Sequence, residues 1–472
     1  MLATAATLSL ILVLPFQSYL LNSSSCLSDS FYGNFRDGNV LRSIFKISPR
    51  QRDCFDALTV LTDKILIPYE PQQLVWLELA EIDATLQTQD IFNPESWLAN
   101  VLRPARSVLQ LGDPVQEHFI SRPEIENIVW ASNKAALVSI SPLLSKELDL
   151  HLPQYWKSTL LPSLPTMHHP VPPSSVQRIQ KVVSHLHFDP VVASTVNNIS
   201  LSQMKDDIGF LTGEDGKSGI VSRHSFSHGA QIAAKWLKER FEETGATCHL
   251  EPFLFGFAPN VICHYDAMEE TDDVIILGAH YDSRGSFGFM RAPGANDDGS
   301  GTTSLLSIAR TIARKNIKFR SNVYLCAFAG EEQGLRGSRA YAYQLKQHKT
   351  NVTLMIQADM LAYRAYQEPP QLGLPDLIGS PVAAELVTKV ASIYSPELHV
   401  DFTPVCCSDH QSFHEQGYVA THLFERAGPI MDPMYHNSGD VRDREGYDFD
   451  QLRSIAKVQL ATLLHTAGYE IL

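Results

Sequence analysis

Glu331 and Glu332 stand side by side at the end of an apolar run, in "CAFAGEEQ". Adjacent carboxylates there repel each other and lose hydration, so the pair calls for a partner of opposite charge. Other stretches supply groups of matching chemistry: His280 and Asp282 in "GAHYDS", Asp297 and Asp298 in "PGANDDGSGT", Asp359 in "QADM", and Tyr435 and His436 in "YHNSGD". Imidazole with carboxylate, and no thiolate, suits zinc in a hydrolytic site rather than a structural one. Two histidines and three carboxylates can hold two ions about 3.5–4 Å apart, with one carboxylate bridging. The positive charge of the ions then removes the cost of crowding the acids. In His-x-Asp, the aspartate can orient the imidazole from behind.

Each stretch has a plainer reading when taken alone. Acids favour the first turn of a helix, which would account for Glu331 and Glu332. Asp297-Asp298-Gly299 reads as a turn with a helix N-cap, and Asp298 is assigned that structural role. His436 alone is an ordinary loop histidine. Placement decides between the readings. "DVIILGAHYD", "NVYLCAFA", "NVTLMIQAD" and "YVATHLFE" read as strands. Between and after them, "GTTSLLSIARTIARK", "RGSRAYAYQLKQH", "PVAAELVTKVASIY" and "DFDQLRSIAKVQLATLLHTAG" read as helices. Continuous Val, Ile and Leu in the strands imply a sheet buried on both faces, and the alternation implies a mostly parallel sheet in a three-layer α/β domain. In such sheets functional groups gather beyond the carboxyl ends of the strands, and the candidate ligands fall there.

Taken together, the five motifs in their order resemble the double-zinc secreted aminopeptidases of bacteria and fungi, and "CSDHQSFHEQGY" matches a further motif of that family. The resemblance covers about residues 200 to 472. It implies the zinc-exopeptidase fold, with a mostly parallel mixed central sheet, and two Zn2+ per chain. It further implies that His280 and Asp359 bind one zinc, that Glu332 and His436 bind the other, and that Asp297 bridges them. Glu331 would be the general base, Tyr435 would stabilise the tetrahedral intermediate, and Asp282 would support His280. The substrate would be the N-terminus of a peptide or protein. Alternatives on the same fold are a single-zinc glutaminyl cyclase and a carboxypeptidase; a catalytically inactive binding module is the alternative of another class.

Several decoys are set aside. His410 and His414 have the i, i+4 spacing of a zinc helix, but Gln411 stands where the glutamate of that motif belongs. "GEDGKSG" imitates a phosphate loop without the earlier glycine or a preceding strand. His224 and His228 are expected as capping or surface residues at a helix entry, and no G-x-S-x-G elbow is present.

The remaining chain sets the context. With a net charge of -14, nucleic-acid binding is not expected. "MLATAATLSLILVLPFQSYLL" reads as an export leader over residues 1–21, although no basic residue precedes its apolar centre. Secretion, no stable membrane association and a monomer are the expectations. Asn22, Asn198 and Asn351 head glycosylation sequons. Among seven cysteines, Cys248 and Cys263 flank a hairpin-like segment and could pair, and Cys326 is the candidate buried thiol. Neighbours Cys406 and Cys407 read as two thiols or as cysteines with separate partners. Residues 22–170 form a smaller, mainly helical N-terminal region, with Gln73 to Ala84 as one helical patch, ending in the proline-rich "LPSLPTMHHPVPPSS". That region is expected as an inhibitory propeptide or a permanent second domain, the linker favouring a cleavable hinge. His168 and His169 read as solvated loop. Residues 171–472 form the peptidase domain.

Overall fold

The computed structural model describes residues 8–17, 25–47, 64–68, 73–86, 127–142, 144–146, 148–166, 169–285, 290–405 and 407–472. Asn22, His168 and Cys406 lie outside them. The chain forms two compact units. The second comprises 169–472 together with two upstream pieces, Ala80–Leu86 and Pro153–Tyr155.

The first unit holds two antiparallel four-stranded sheets. One contains β1 (Leu8–Pro15), β2 (Phe31–Asp37), β3 (Val40–Ile47) and β4 (Lys64–Pro68); the other contains β5 (Gln73–Leu79), β6 (Asn127–Ala131), β7 (Ala135–Ile140) and β8 (Trp156–Leu160). Where described, the region is therefore mainly β, not mainly helical as its sequence suggested. The misreading at Gln73 to Ala84 has a clear cause. β5 is a central strand covered on both faces: Trp76 and Leu74 join one apolar cluster, Val75, Leu77 and Leu79 another. A continuous apolar run of this kind has no period-2 signature to separate it from a helix. Within the segment expected as a leader, Leu8–Pro15 form β1, paired with β3 and β4.

In the second unit a mixed six-stranded sheet has the order β17-β14-β11-β13-β10-β9. Its strands are β9 (Thr247–Glu251), β10 (Asn260–Tyr265), β11 (Asp273–His280), β13 (Asn322–Phe328), β14 (Asn351–Ala358) and β17 (Ala420–Leu423). β11, β13, β14 and β17 run parallel; β9 and β10 are an antiparallel hairpin at one edge. Cys248 and Cys263 face each other across that hairpin and form a disulfide. Minor pairs are β12 (Ile317–Phe319) with β18 (Tyr469–Ile471), and β15 (Gln371–Pro375) with β16 (His399–Thr403).

Alternate residues of β11 enter opposite layers. Ile275, Leu277 and Ala279 pack in the larger core with the helices His228–Glu242, Gly299–Arg314, Pro381–Tyr394 and Phe449–Ala467. Val274 and Ile276 pack on the other side with Tyr341, Phe413 and the free, fully buried Cys326. Burying each such aliphatic side chain contributes about 1.5–3 kcal/mol. The linker is not a bare hinge: Pro172 caps and Pro173 opens the helix Pro173–His185, where the missing N–H of proline costs nothing. Cys407 is disulfide-bonded rather than a thiol. Asn198 and Asn351 are exposed.

Candidate metal centre

The parallel register fixes the rim. His280 is the last residue of β11 and pairs in register with Phe328, the last of β13, while β14 ends at Ala358, just before Asp359. Glu331 and Glu332 follow β13 through Gly330, which has φ 72°. That conformation favours glycine, and an added Cβ would also sit 3.0–3.2 Å from Arg336, Phe253 and Phe257.

Asp298 supplies the frame. As N-cap of Gly299–Arg314 it accepts from the Gly301 N–H at 2.8 Å, and it also accepts from the His280 N–H at 3.1 Å and the Met360 N–H at 3.2 Å. One carboxylate thus ties the ends of β11 and β14 to the helix start, which is the structural role its sequence position suggested. The helix passes close to β14: a Cβ on Gly301 would meet the Ala358 carbonyl at 2.2 Å.

Around this frame five side chains converge. His280 Nε2 lies 3.2 Å from Asp297 Oδ1 and 3.5 Å from Asp359 Oδ1. His436 Nε2 lies 3.3 Å from Asp297 Oδ2 and 3.0 Å from Glu332 Oε2. Two three-residue groups result, His280–Asp297–Asp359 and Asp297–Glu332–His436, and Asp297 belongs to both. All five residues are buried. His280 Nε2, His436 Nε2 and both Glu332 oxygens have no hydrogen-bond partner. Buried carboxylate oxygens and imidazole nitrogens crowded together without making hydrogen bonds are costly unless a cation fills the gap. The donor set, all imidazole and carboxylate, fits zinc.

The electrostatics agree. Burial opposes charge on His280, yet Asp359 and Glu331 hold its pKa well above the ordinary value. Burial likewise opposes charge on Asp297, but the two imidazoles hold its carboxyl well below the usual range.

Asp282 stands behind the rim, fully buried. Its carboxylate accepts from the Ser225 hydroxyl at 3.0 Å and from the N–H groups of Glu331 and Glu332 at 3.3 Å, and Oδ1 lies 3.5 Å from His280 Nδ1. The Asp282 carbonyl is nearer to that nitrogen, at 3.2 Å. Glu331 is buried beside the cluster but belongs to neither group of ligands. Tyr435 stacks on His436 with ring centroids 3.7 Å apart.

Sequence reasoning missed the supports of the loop that carries Tyr435 and His436. Asp440 accepts from the N–H groups of Asn296 and Asp297 at 3.0 Å. Arg444 pairs with Asp440 at 2.9 Å and with Asp432 at 2.5 Å. Burial pushes Asp440 up to about 7 although Arg444 pulls the other way. Asp440 stands within the quoted "YHNSGD", but nothing local shows what it faces. Arg223 supports the neighbouring segments next to His280 and ahead of Asp297: its buried guanidinium donates to the carbonyls of Tyr281, Leu211, Pro293 and Gly294.

The decoys resolve as well. His410 Nε2 donates to the Ile378 carbonyl, 3.0 Å away, and stacks on His422, whose Nε2 is 3.3 Å from the Asp359 carbonyl. Among the described residues neither His410 nor His414 joins a ligand group. His224, expected near the surface, is buried with Nε2 3.3 Å from the Gln333 amide; Ser227 is the helix cap and His228 is exposed.

Residues 260–463 match the sequence profile of peptidase family M28. Leucine aminopeptidase 1 of Penicillium rubens is 30% identical over 299 residues, which is 58% of this chain and 76% of that protein. The chain belongs to peptidase family M28. Leucine aminopeptidase 1 of Sclerotinia sclerotiorum is 28% identical over 52% of this chain and 67% of its own. Among solved structures, the LapA aminopeptidase of Legionella pneumophila superposes with a TM-score of 0.60 at 18% identity, covering 84% of this chain and 99% of LapA. LapB of the same organism gives 0.58 at 16% identity, covering 84% of this chain and all of LapB. The M28 chain thus shares its fold with these proteins. Among the described residues no helix is long and apolar enough to cross a membrane.

Proposed function

We propose that this M28 peptidase is an exported aminopeptidase that holds two zinc ions and hydrolyses the N-terminal bond of peptides. The observation that carries the reading is the pair of buried ligand groups sharing Asp297, with the carboxylate of Glu331 beside them and outside both. His280 and Asp359 would hold one ion, Glu332 and His436 the other, and Asp297 both. When bound, such a pair supplies Lewis-acid polarisation of a carbonyl and acidifies water.

The chain's own residues supply the rest. Glu331 takes the proton of the attacking water and delivers it to the leaving amine. Asp282 holds Glu331 in place through its N–H and braces His280 from behind. The hydroxyl of Tyr435 donates to the oxygen that gains charge in the tetrahedral intermediate. A free substrate amine is favoured by the acidic surroundings, which selects the N-terminus. The names of the relatives support the aminopeptidase reading over a cyclase or carboxypeptidase. The disulfide Cys248–Cys263 supports an oxidising compartment. A mature chain starting near residue 22 is expected by N-terminal sequencing; one that retains β1 would overturn the leader reading.

The deciding experiment combines a panel of aminoacyl amides, an N-acetylated control and a chelator with the variant Glu331→Gln. Free amides are expected to be cleaved, the blocked one spared, and chelation to abolish turnover. Glu331→Gln is expected to keep its metal and lose about 10²–10⁴-fold in kcat. Cleavage of the blocked substrate would exclude an aminopeptidase. Full activity of Glu331→Gln would remove the assigned base, and one zinc per chain with pyroglutamate formation would make the protein a cyclase.

A further inference from the structure

Pro153-Gln154-Tyr155 lies far upstream of the matched residues 260–463, yet it belongs to the second compact unit and reaches the metal centre. The Gln154 carbonyl is 3.0 Å from His436 Nδ1. The Gln154 side-chain amide donates to the Tyr435 carbonyl at 2.6 Å and the Pro433 carbonyl at 3.0 Å. Tyr155 stacks parallel on Tyr435, centroids 6.3 Å apart. Arg284 Nη2 donates to the Pro153 carbonyl at 3.2 Å, with Nη1 3.1 Å from His436 Nδ1.

The second upstream piece anchors the first. The Ala80 N–H donates to the Tyr155 carbonyl at 2.8 Å. Ile82 bridges to Ile430, with the Asp83 N–H donating to Ile430 at 2.7 Å and the Ile430 N–H donating to Glu81 at 2.8 Å. Asp83 pairs with Arg426 at 3.4 Å. Ile82, Ile430, Tyr435 and Met360 share one apolar cluster, with Tyr155 packed against it.

The tautomer of His436 gives the strap a job. His436 turns Nε2 to Asp297 and Glu332, so as a ligand it carries its ring proton on Nδ1, and that proton needs an acceptor. Arg284 has donors only. Its Nη1, 3.1 Å from Nδ1, therefore cannot take that proton, and among the described residues the Gln154 carbonyl is the acceptor at hydrogen-bond distance, 3.0 Å. We infer that Gln154 is a positioning residue for His436: its carbonyl fixes the ring and its amide locks the carbonyls flanking Tyr435, so the strap is a working part of the metal centre. On this reading the proline linker is not a site of activating removal, since cutting there and discarding the upstream part would strip His436 of its acceptor.

The inference rests on His436 being a ligand, and the test separates the two. Full-length Gln154→Ala, Gln154→Glu and His436→Ala are compared with wild type by zinc content, by the zinc dissociation constant in chelator competition, and by kcat and KM. The Nδ1–H signal of His436 in 15N-histidine-labelled protein is followed alongside. Gln154→Ala keeps the carbonyl but loses the amide that pins it beside the Tyr435 and Pro433 carbonyls, so the carbonyl is expected to drift from Nδ1, weakening zinc about 10-fold, lowering kcat with KM nearly unchanged and speeding exchange of the Nδ1–H. Gln154→Glu sets carboxylate oxygens against two carbonyls and is expected to lose more. If Gln154→Ala lowers the melting temperature but leaves zinc affinity and the Nδ1–H intact, the positioning role is overturned and the ligand assignment stands. If kcat/KM rises, the strap occludes the site and the inference fails. If His436→Ala retains both ions at wild-type affinity, the ligand assignment falls and the inference with it.

Discussion

Replacing Asp282 by asparagine changes no volume and leaves the fold's apolar core untouched, so its effects report on the carboxylate alone. That carboxylate receives the Ser225 hydroxyl at 3.0 Å, the N–H groups of Glu331 and Glu332 at 3.3 Å each, and faces His280 Nδ1 at 3.5 Å. Ser225 relays the hold, since its oxygen accepts from the Gly330 N–H at 2.8 Å. In the variant one terminal atom becomes a donor and faces either Glu331 N–H with His280, or Glu332 N–H with Ser225. Whichever way the amide turns, one backbone N–H loses its acceptor in a buried site. Hydrogen bonds to charged groups contribute about 1.5–3 kcal/mol each, so a stability loss of roughly 3 kcal/mol is expected in denaturant melts of the metal-free protein. A carboxylate behind a metal-binding histidine contributes about 10–100-fold to metal affinity. Chelator competition is expected to show that loss, with kcat falling alongside. Wild-type zinc affinity in Asp282→Asn would refute the reasoning. The Asp282 carbonyl, 3.2 Å from His280 Nδ1 and unchanged in the variant, would then be the group that orients the ring.

Other expectations follow from single contacts. Arg444→Met leaves Asp432 and Asp440 buried without their cation, and a loss of about 3–5 kcal/mol is expected by chemical denaturation; a change under about 1 kcal/mol would show the network to be indifferent. Asp207, on the helix Leu201–Thr212, pairs with Arg310, yet burial outweighs the pairing and raises its pKa to about 6. The folded protein therefore keeps this proton through pH 4–6 while the unfolded chain releases it, so the group's contribution is most favourable below pH 4 and declines as pH rises. Relative to Asp207→Asn, wild-type stability should fall by up to about 3 kcal/mol between pH 4 and pH 6.5 and then level off; a relative rise would show that Arg310 dominates. Cys248 and Cys263 are 15 residues apart, and Cys263→Ser should lower stability by about 3 kcal/mol in thermal melts under non-reducing conditions, with the same value in reductant refuting a role for the bond.

The sequence by itself determined the second unit's layers and the identity of the convergent groups. Strands such as "DVIILGAH" carry a continuous apolar run, Val274 to Leu277, because both faces are covered, and the parallel arrangement of β11, β13, β14 and β17 places their carboxyl ends on one rim. His280, Glu331, Glu332 and Asp359 were legible because they sit at those ends, and Asp298 because a helix start is a local event. Tertiary structure decided what local pattern does not encode. β5 looked helical because burial on both faces erases its alternation. Asp440 and Arg223 act across long sequence separations, on backbone groups that any residue type could present. Gln154 is the extreme case. It meets His436 at a separation of 282 residues, through a carbonyl that every amino acid carries, so no choice of side chain could have announced it. Side-chain chemistry is written residue by residue, whereas the outer support of a metal ligand is made by backbone, and only the fold says which backbone arrives.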